Sequence, residues 1–143
     1  MNSSTTILLL GLFNALLIII WNIRTTRADE NPQNIERDKQ AEEKYAALCT
    51  GDERLLCVCR GYYKNEYYVL TDRNLIIEDH RKGQQVIPLD RIRKVKFKKI
   101  NGKKAKHFSE CQIIIVYTDR KYALTQISEK FAIISEYLFE RYK

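Results

Sequence analysis

The stretch Tyr67–Ile92, YYVLTDRNLIIEDHRKGQQVIPLDRI, decides the fold. Short apolar runs at 67–70, 75–77 and 86–89 alternate with polar breaks at 71–74 and 80–85. Runs of this length between turn-forming residues predict consecutive short antiparallel strands. Gly83 supplies the positive φ that the second turn needs. No residue in the stretch is an obvious catalyst, so it specifies a β meander rather than an active site.

Downstream, residues 93–99 alternate cleanly, with Val95 and Phe97 on one face and Lys94, Lys96 and Lys98 on the other. Asn101-Gly102 is the strongest two-residue hairpin signal in the chain and joins this strand to one over 109–117. Residues 118–120 then turn into a strand over 121–127. After Ser128 the period changes: Phe131, Ile134 and Leu138 recur at spacings of three and four, with Ile133 and Tyr137 widening the stripe. That pattern predicts an amphipathic helix capped by Ser128. Upstream, residues 53–60 are apolar on both faces and are followed, after a Lys64-Asn65 break, by residues 66–71. The reading is mainly β: about seven antiparallel strands forming a curved sheet or partly open barrel, its open end closed by one C-terminal helix.

Nineteen residues from Thr5 to Ile23, TTILLLGLFNALLIIIWNI, carry no charge. As a helix they span about 28 Å, close to the hydrocarbon thickness of about 30 Å. Their twelve Ile, Leu and Phe side chains favour insertion by about 4 to 7 kcal/mol, less a penalty for Asn14. A cleaved signal peptide fits less well, because no Lys or Arg precedes the run and Thr26-Arg27-Ala28 is a poor cleavage site. Trp21 lies where an interfacial aromatic belongs, and Arg24 and Arg27 follow, so the positive-inside rule places the C-terminal side in the cytoplasm of a cell membrane. Residues 24–34 read as a polar linker and residues 35–48 as a juxtamembrane helix, with Asn34 as its cap and Ala41, Tyr45 and Leu48 on one face. The expected division is an anchor over 1–23, linker and helix over 24–51, and the β domain over 52–143.

The formal net charge is +7. Residues 91–106 hold nine basic side chains and no acidic one, so the rest of the chain is slightly acidic. Such a patch suits an anionic surface, and Lys94, Lys96, Lys98, Lys99, Lys103, Lys104 and Lys106 are the candidate contacts. The competing reading is a solvated hairpin that keeps a sheet edge soluble. Four cysteines at irregular spacing suit packed thiols in a reducing compartment better than disulfides or zinc. His80 and His107 are distant in sequence and lack a nucleophile motif, metal spacing or Gly-rich phosphate loop, so an enzyme, a metal and a cofactor are not expected.

The strand order, with Leu70-Thr71-Asp72-Arg73 and then Ile87-Pro88-Leu89-Asp90-Arg91-Ile92, resembles the bacterial pleckstrin-homology-like domains, relatives of the PH and GRAM superfold, over roughly residues 52–143. Asp72 and Asp90 suit backbone amides at turns, and Pro88 suits a strand end. The resemblance implies a module that binds phosphoinositides or other acidic headgroups, binds protein segments, or assembles. It also implies that a lipid-binding member carries basic residues around its first strand-to-strand loop, where this chain offers Lys64. The leading expectation is a non-catalytic membrane-anchored module organising protein or anionic-lipid contacts at the cytoplasmic surface. The alternatives are a protein that self-assembles through a sheet edge or through residues 113–116, and nucleic-acid binding through the basic hairpin, whose aromatics, Phe97 and Phe108, are few.

Overall fold

The computed structural model describes residues 3–49, 51–63, 65–79 and 81–142, with the side chains of residues 25, 26 and 28 left aside. Lys64, His80 and the Thr26 and Ala28 side chains therefore lie outside the described residues. Helix α1 (Ser3–Glu30) leads directly into α2 (Pro32–Leu48). Strands β1 (Leu55–Arg60), β2 (Tyr67–Thr71), β3 (Asn74–Asp79) and β4 (Gly83–Pro88) form one antiparallel sheet in sequence order. Strands β5 (Lys94–Lys98), β6 (Ile113–Tyr117) and β7 (Lys121–Thr125) form a second, and α3 (Phe131–Tyr142) ends the described chain. The seven strands and the last helix agree with the sequence reading. The class does not: the architecture is mixed α and β with two separate sheets, not one curved sheet or barrel, and its helices hold more residues than its strands.

The meander forms as its pattern dictates. Thr71 Oγ1 accepts from the amides of Arg73 and Asn74, closing the β2–β3 turn. Asp72 acts elsewhere than expected, reaching across to accept from the Arg54 amide at 3.0 Å. In the β3–β4 turn Asp79 accepts from Arg81 N–H at 2.8 Å, and Gly83 adopts φ +78°. Asp90 is exposed in a short 3-10 turn, Leu89–Arg91.

The main core lies between the sheets and α3. Leu70, Leu75, Ile114, Val116 and Leu124 meet Phe131, Ile134 and Leu138 there, all fully buried. Truncating any one of these large side chains to alanine costs about 2 to 5 kcal/mol. The Tyr68 hydroxyl, deep in this core, accepts from the amides of Thr125 at 3.2 Å and Tyr62 at 3.4 Å, so one phenol ties the two sheets together. Cys57, Cys59 and Cys111 are free and buried, and burial pushes Cys57 and Cys111 up to about 11, which makes them inert packing groups.

The region read as a linker is helical. Residues 24–30 contain no Gly or Pro, so α1 continues past the apolar run until Asn31, which Pro32 restricts to extended backbone at φ −66°, ψ 122°. Asn31 rather than Asn34 caps α2, its side chain accepting from Gln33 N–H at 3.0 Å, and Pro32 takes the first helical position. Ala41 and Tyr45 pack on Val58 and Val69, forming a second core on the outer face of the first sheet. Leu48, expected on the same stripe, is 58% exposed. Ser128 shapes the turn before α3, accepting from Lys130 N–H through its hydroxyl and from Phe131 N–H through its carbonyl. The strand expected over 109–117 starts only at Ile113, because 108–110 form a 3-10 turn. It is the middle strand of its sheet with Ile114, Ile115 and Val116 buried, so residues 113–116 offer no free edge for assembly.

Period-two alternation puts Val58 and Arg60 on the same face of β1, toward α2. There Arg60 Nη2 pairs with Asp29 of α1, and Arg60 Nε lies 3.7 Å from Asp38 Oδ1 of α2. The other Asp29 oxygen accepts from Glu129 N–H at 2.7 Å, and Lys130 pairs with Glu42 at 2.6 Å. Burial pushes the Asp38 carboxyl above its ordinary value of 3.8, against the lowering pull of Arg60 and Lys130. Arg60→Leu strands that carboxylate and is expected to cost about 3 kcal/mol near neutral pH. A raised carboxyl pKa means that the folded chain holds the proton more tightly than the unfolded one, so the cost shrinks as pH falls from about 7 toward about 4. Thermal unfolding of the full chain in detergent across that range measures both.

Candidate functional site

Five of the seven candidate lysines converge. Lys94, Lys96, Lys98, Lys104 and Lys106 line one groove of about 760 Å³ beside β5. The Asn101-Gly102 hairpin builds it: Asn101 Oδ1 accepts from Lys103 N–H at 3.0 Å, Gly102 takes φ +83°, and Lys99 N–H donates to Lys103 C=O at 2.8 Å. The returning chain then bridges Lys98 to Lys104 and donates from Ala105 N–H to Phe97 C=O at 2.9 Å. The groove wall opposite the hairpin comes from the end of α3, where Phe139 sits edge-on to Phe97 with centroids 5.1 Å apart and Tyr142 donates its hydroxyl hydrogen to Leu89 C=O.

The charge arrangement is unfavourable by itself. Like charges directly opposite across paired strands destabilise the pair, and Lys98 faces Lys104 in that relation. Lys94, Lys96 and Lys98 recur every second residue on one face of β5, about 6.6 Å apart. An acidic group seated among them relieves this repulsion. Lys99 and Lys103 do not join the groove: Lys99 pairs with Glu110 at 3.5 Å, and Lys103 is exposed at the hairpin turn. Glu110 is held ionised first by its hydrogen bond from Lys106 N–H and further by Lys99, which lower its pKa. His107 is exposed, stacked on Phe108 at 4.3 Å and hydrogen-bonded to Ser109 Oγ at 2.7 Å. No group of three or more metal-binding side chains occurs among the described residues.

The residues expected at a membrane interface lie at the other end of α3. Trp21 is half-buried against the domain, whereas Arg24 and Arg27 are exposed. Trp21 and Arg24 close a helical span, Ser3–Arg24, that is long and apolar enough to cross a membrane and has no fully buried residue, and Arg27 follows it. Sequence reasoning missed the partners of this segment, Asp29, Asp38 and Arg60. Its available signal was an arginine ending the otherwise apolar strand LLCVCR.

Replacing Lys96, Lys98 and Lys104 with Gln is expected to weaken binding of a polyglutamate peptide about tenfold at low salt and to flatten its salt dependence. Folding stability should hold within about 0.5 kcal/mol or rise, since the Lys98–Lys104 repulsion is removed. Titration calorimetry and urea unfolding read the two effects. Comparison with protein-family models, curated proteins and solved structures returns no match to this chain, so the groove and the apolar helix are what its chemistry must be read from.

Proposed function

We propose that this chain is a non-catalytic, single-pass membrane protein whose PH-like domain stands at the cytoplasmic face and gathers an acidic segment of a partner protein into the lysine groove. The observation that carries the reading is the apolar span of α1, Ser3–Arg24, which contains an 18-residue window with a mean hydropathy of 2.3 and no residue fully buried by the fold. Ile7, Leu8 and Leu12 are each 60% exposed or more, a surface that water disfavours and hydrocarbon accepts. Trp21, Arg24 and Arg27 at its C-terminal end support the cytoplasmic orientation. The PH-like assignment is supported by seven antiparallel strands followed by a C-terminal helix that buries one face against them.

The choice of a protein partner for the groove follows from α3. This helix begins beside the Asp29–Glu129 contact with the anchor and ends at the groove, and its 12 residues span about 18 Å. That separation exceeds the screening length of about 8 Å at physiological salt, so an acidic segment in solution meets the groove more readily than the leaflet around α1 does. Phe97 is buried and Phe139 half-buried, which favours carboxylates over stacked bases as the occupant.

Two fusions test the topology. A fluorescent protein at the C-terminus is expected to fluoresce, and alkaline phosphatase at the same place to stay inactive, while the chain remains in the membrane pellet after carbonate washing. Phosphatase activity overturns the orientation, and release by carbonate overturns the anchor.

A further inference from the structure

A second cavity, of about 600 Å³, opens between the end of α1 and the β1–β2 loop, at the opposite end of α3 from the lysine groove. Trp21 and Arg24 of α1, Arg37 of α2, and Tyr62 and Tyr63 of the loop meet in its wall. The Trp21 indole N–H is buried there and finds no acceptor among the described residues. A buried donor without an acceptor is costly to maintain, so a cavity beside it invites one. Neither Arg24 nor Arg37 is ion-paired with a carboxylate among the described residues. Arg60 also reaches the wall but is engaged by Asp29 and Asp38.

Among the described residues Glu66 is the one carboxylate in the wall, and it is turned into the β1–β2 loop. It accepts from Tyr63 N–H at 3.4 Å and packs so closely on Gly61 that a Cβ there would lie 2.4 Å from its Oε1. The cavity therefore keeps two uncommitted guanidinium groups and one orphan N–H, a donor set matched to the oxygens of a phosphate. Tyr62 and Tyr63, 58% and 49% exposed and packed edge to face at 5.1 Å, add amphipathic rings of the kind that favour the bilayer interface.

We propose that this cavity seats the phosphate of an anionic phospholipid from the leaflet that α1 enters, with Arg24 and Arg37 clamping the phosphate and Trp21 N–H donating to one of its oxygens. The inference rests on the membrane-anchored reading above, which places Trp21 and Arg24 at headgroup depth. A zwitterionic lipid would bring a cationic ammonium toward the two guanidinium groups, whereas a glycerol headgroup brings no opposing charge. The bound lipid joins α1, α2 and the first sheet, and so fixes which surface of the domain faces the bilayer.

Trp21 is the single tryptophan of the chain and reports on its own site. The full chain is placed in phosphatidylcholine nanodiscs carrying a minor fraction of either brominated phosphatidylglycerol or brominated phosphatidylcholine, and quenching of Trp21 is compared. Stronger quenching by the glycerol lipid is expected, with Arg37→Gln lowering the apparent preference about tenfold and Arg37→Lys keeping part of it. The variant Lys96→Gln/Lys98→Gln/Lys104→Gln should leave the preference intact. Equal quenching by the two lipids, or a preference that survives Arg37→Gln, overturns the phosphate site and leaves the anchor standing. Absence of quenching by either lipid overturns the anchor itself.

Discussion

The Arg60 guanidinium, with Asp29 on one side and Asp38 on the other, is the interaction that the rest of the arrangement depends on. Four elements meet at it: α1 through Asp29, α2 through Asp38, β1 through Arg60, and the entrance to α3 through the hydrogen bond from Glu129 to Asp29. Apolar packing alone leaves α1 unplaced, because its side chains bury nothing against the domain before Trp21. A buried ion cluster adds little net stability over an apolar replacement, since desolvation offsets most of its attraction. Its effect here is geometric. It allows one orientation of α1 on the domain, since rotating α1 would leave charged groups in the interface without partners.

That orientation sets what each end of the molecule meets. The first sheet is covered on both faces, by α2 on Val58 and Val69 and by the main core on Cys57, Cys59 and Leu70. The β1–β2 loop is thereby held against the end of α1, and its two exposed tyrosines stand beside Trp21. α3 runs from this junction to the lysine groove. One helix thus separates the cavity beside Trp21 from a basic groove about 18 Å farther along the domain.

Local chemistry made much of this legible in the sequence. Turn residues and short apolar runs located all seven strands, whereas Asn101-Gly102 marks a tight turn that returns the chain only to the Lys98–Lys104 bridge, not directly into β6 as expected. The division into two sheets was not legible, because Pro88 and Asp90 mark a turn between β4 and β5 without saying whether the strands on either side pair with each other. Pro32 was misread for a related reason. It both ends α1 and begins α2, and a proline scores as a break whether it lies in a linker or joins two helices.

The charged residues of the Arg60 cluster escaped for a deeper reason. Periodicity assigns a residue to the core by its apolarity, so Asp38, one turn before Ala41, reads as solvent-facing although it is 8% exposed. Arg60 likewise reads as the polar end of a strand, although it lies on the same face as Val58. Only the crossing of α2 over β1 brings the two together, and that crossing is tertiary. The seven lysines show the converse: their spacing was visible, but only the Lys98–Lys104 bridge separates the five that share a groove from the two that do not. Charge in a sequence therefore identifies candidates for a site, and the backbone pairing between strands decides which of them share one groove.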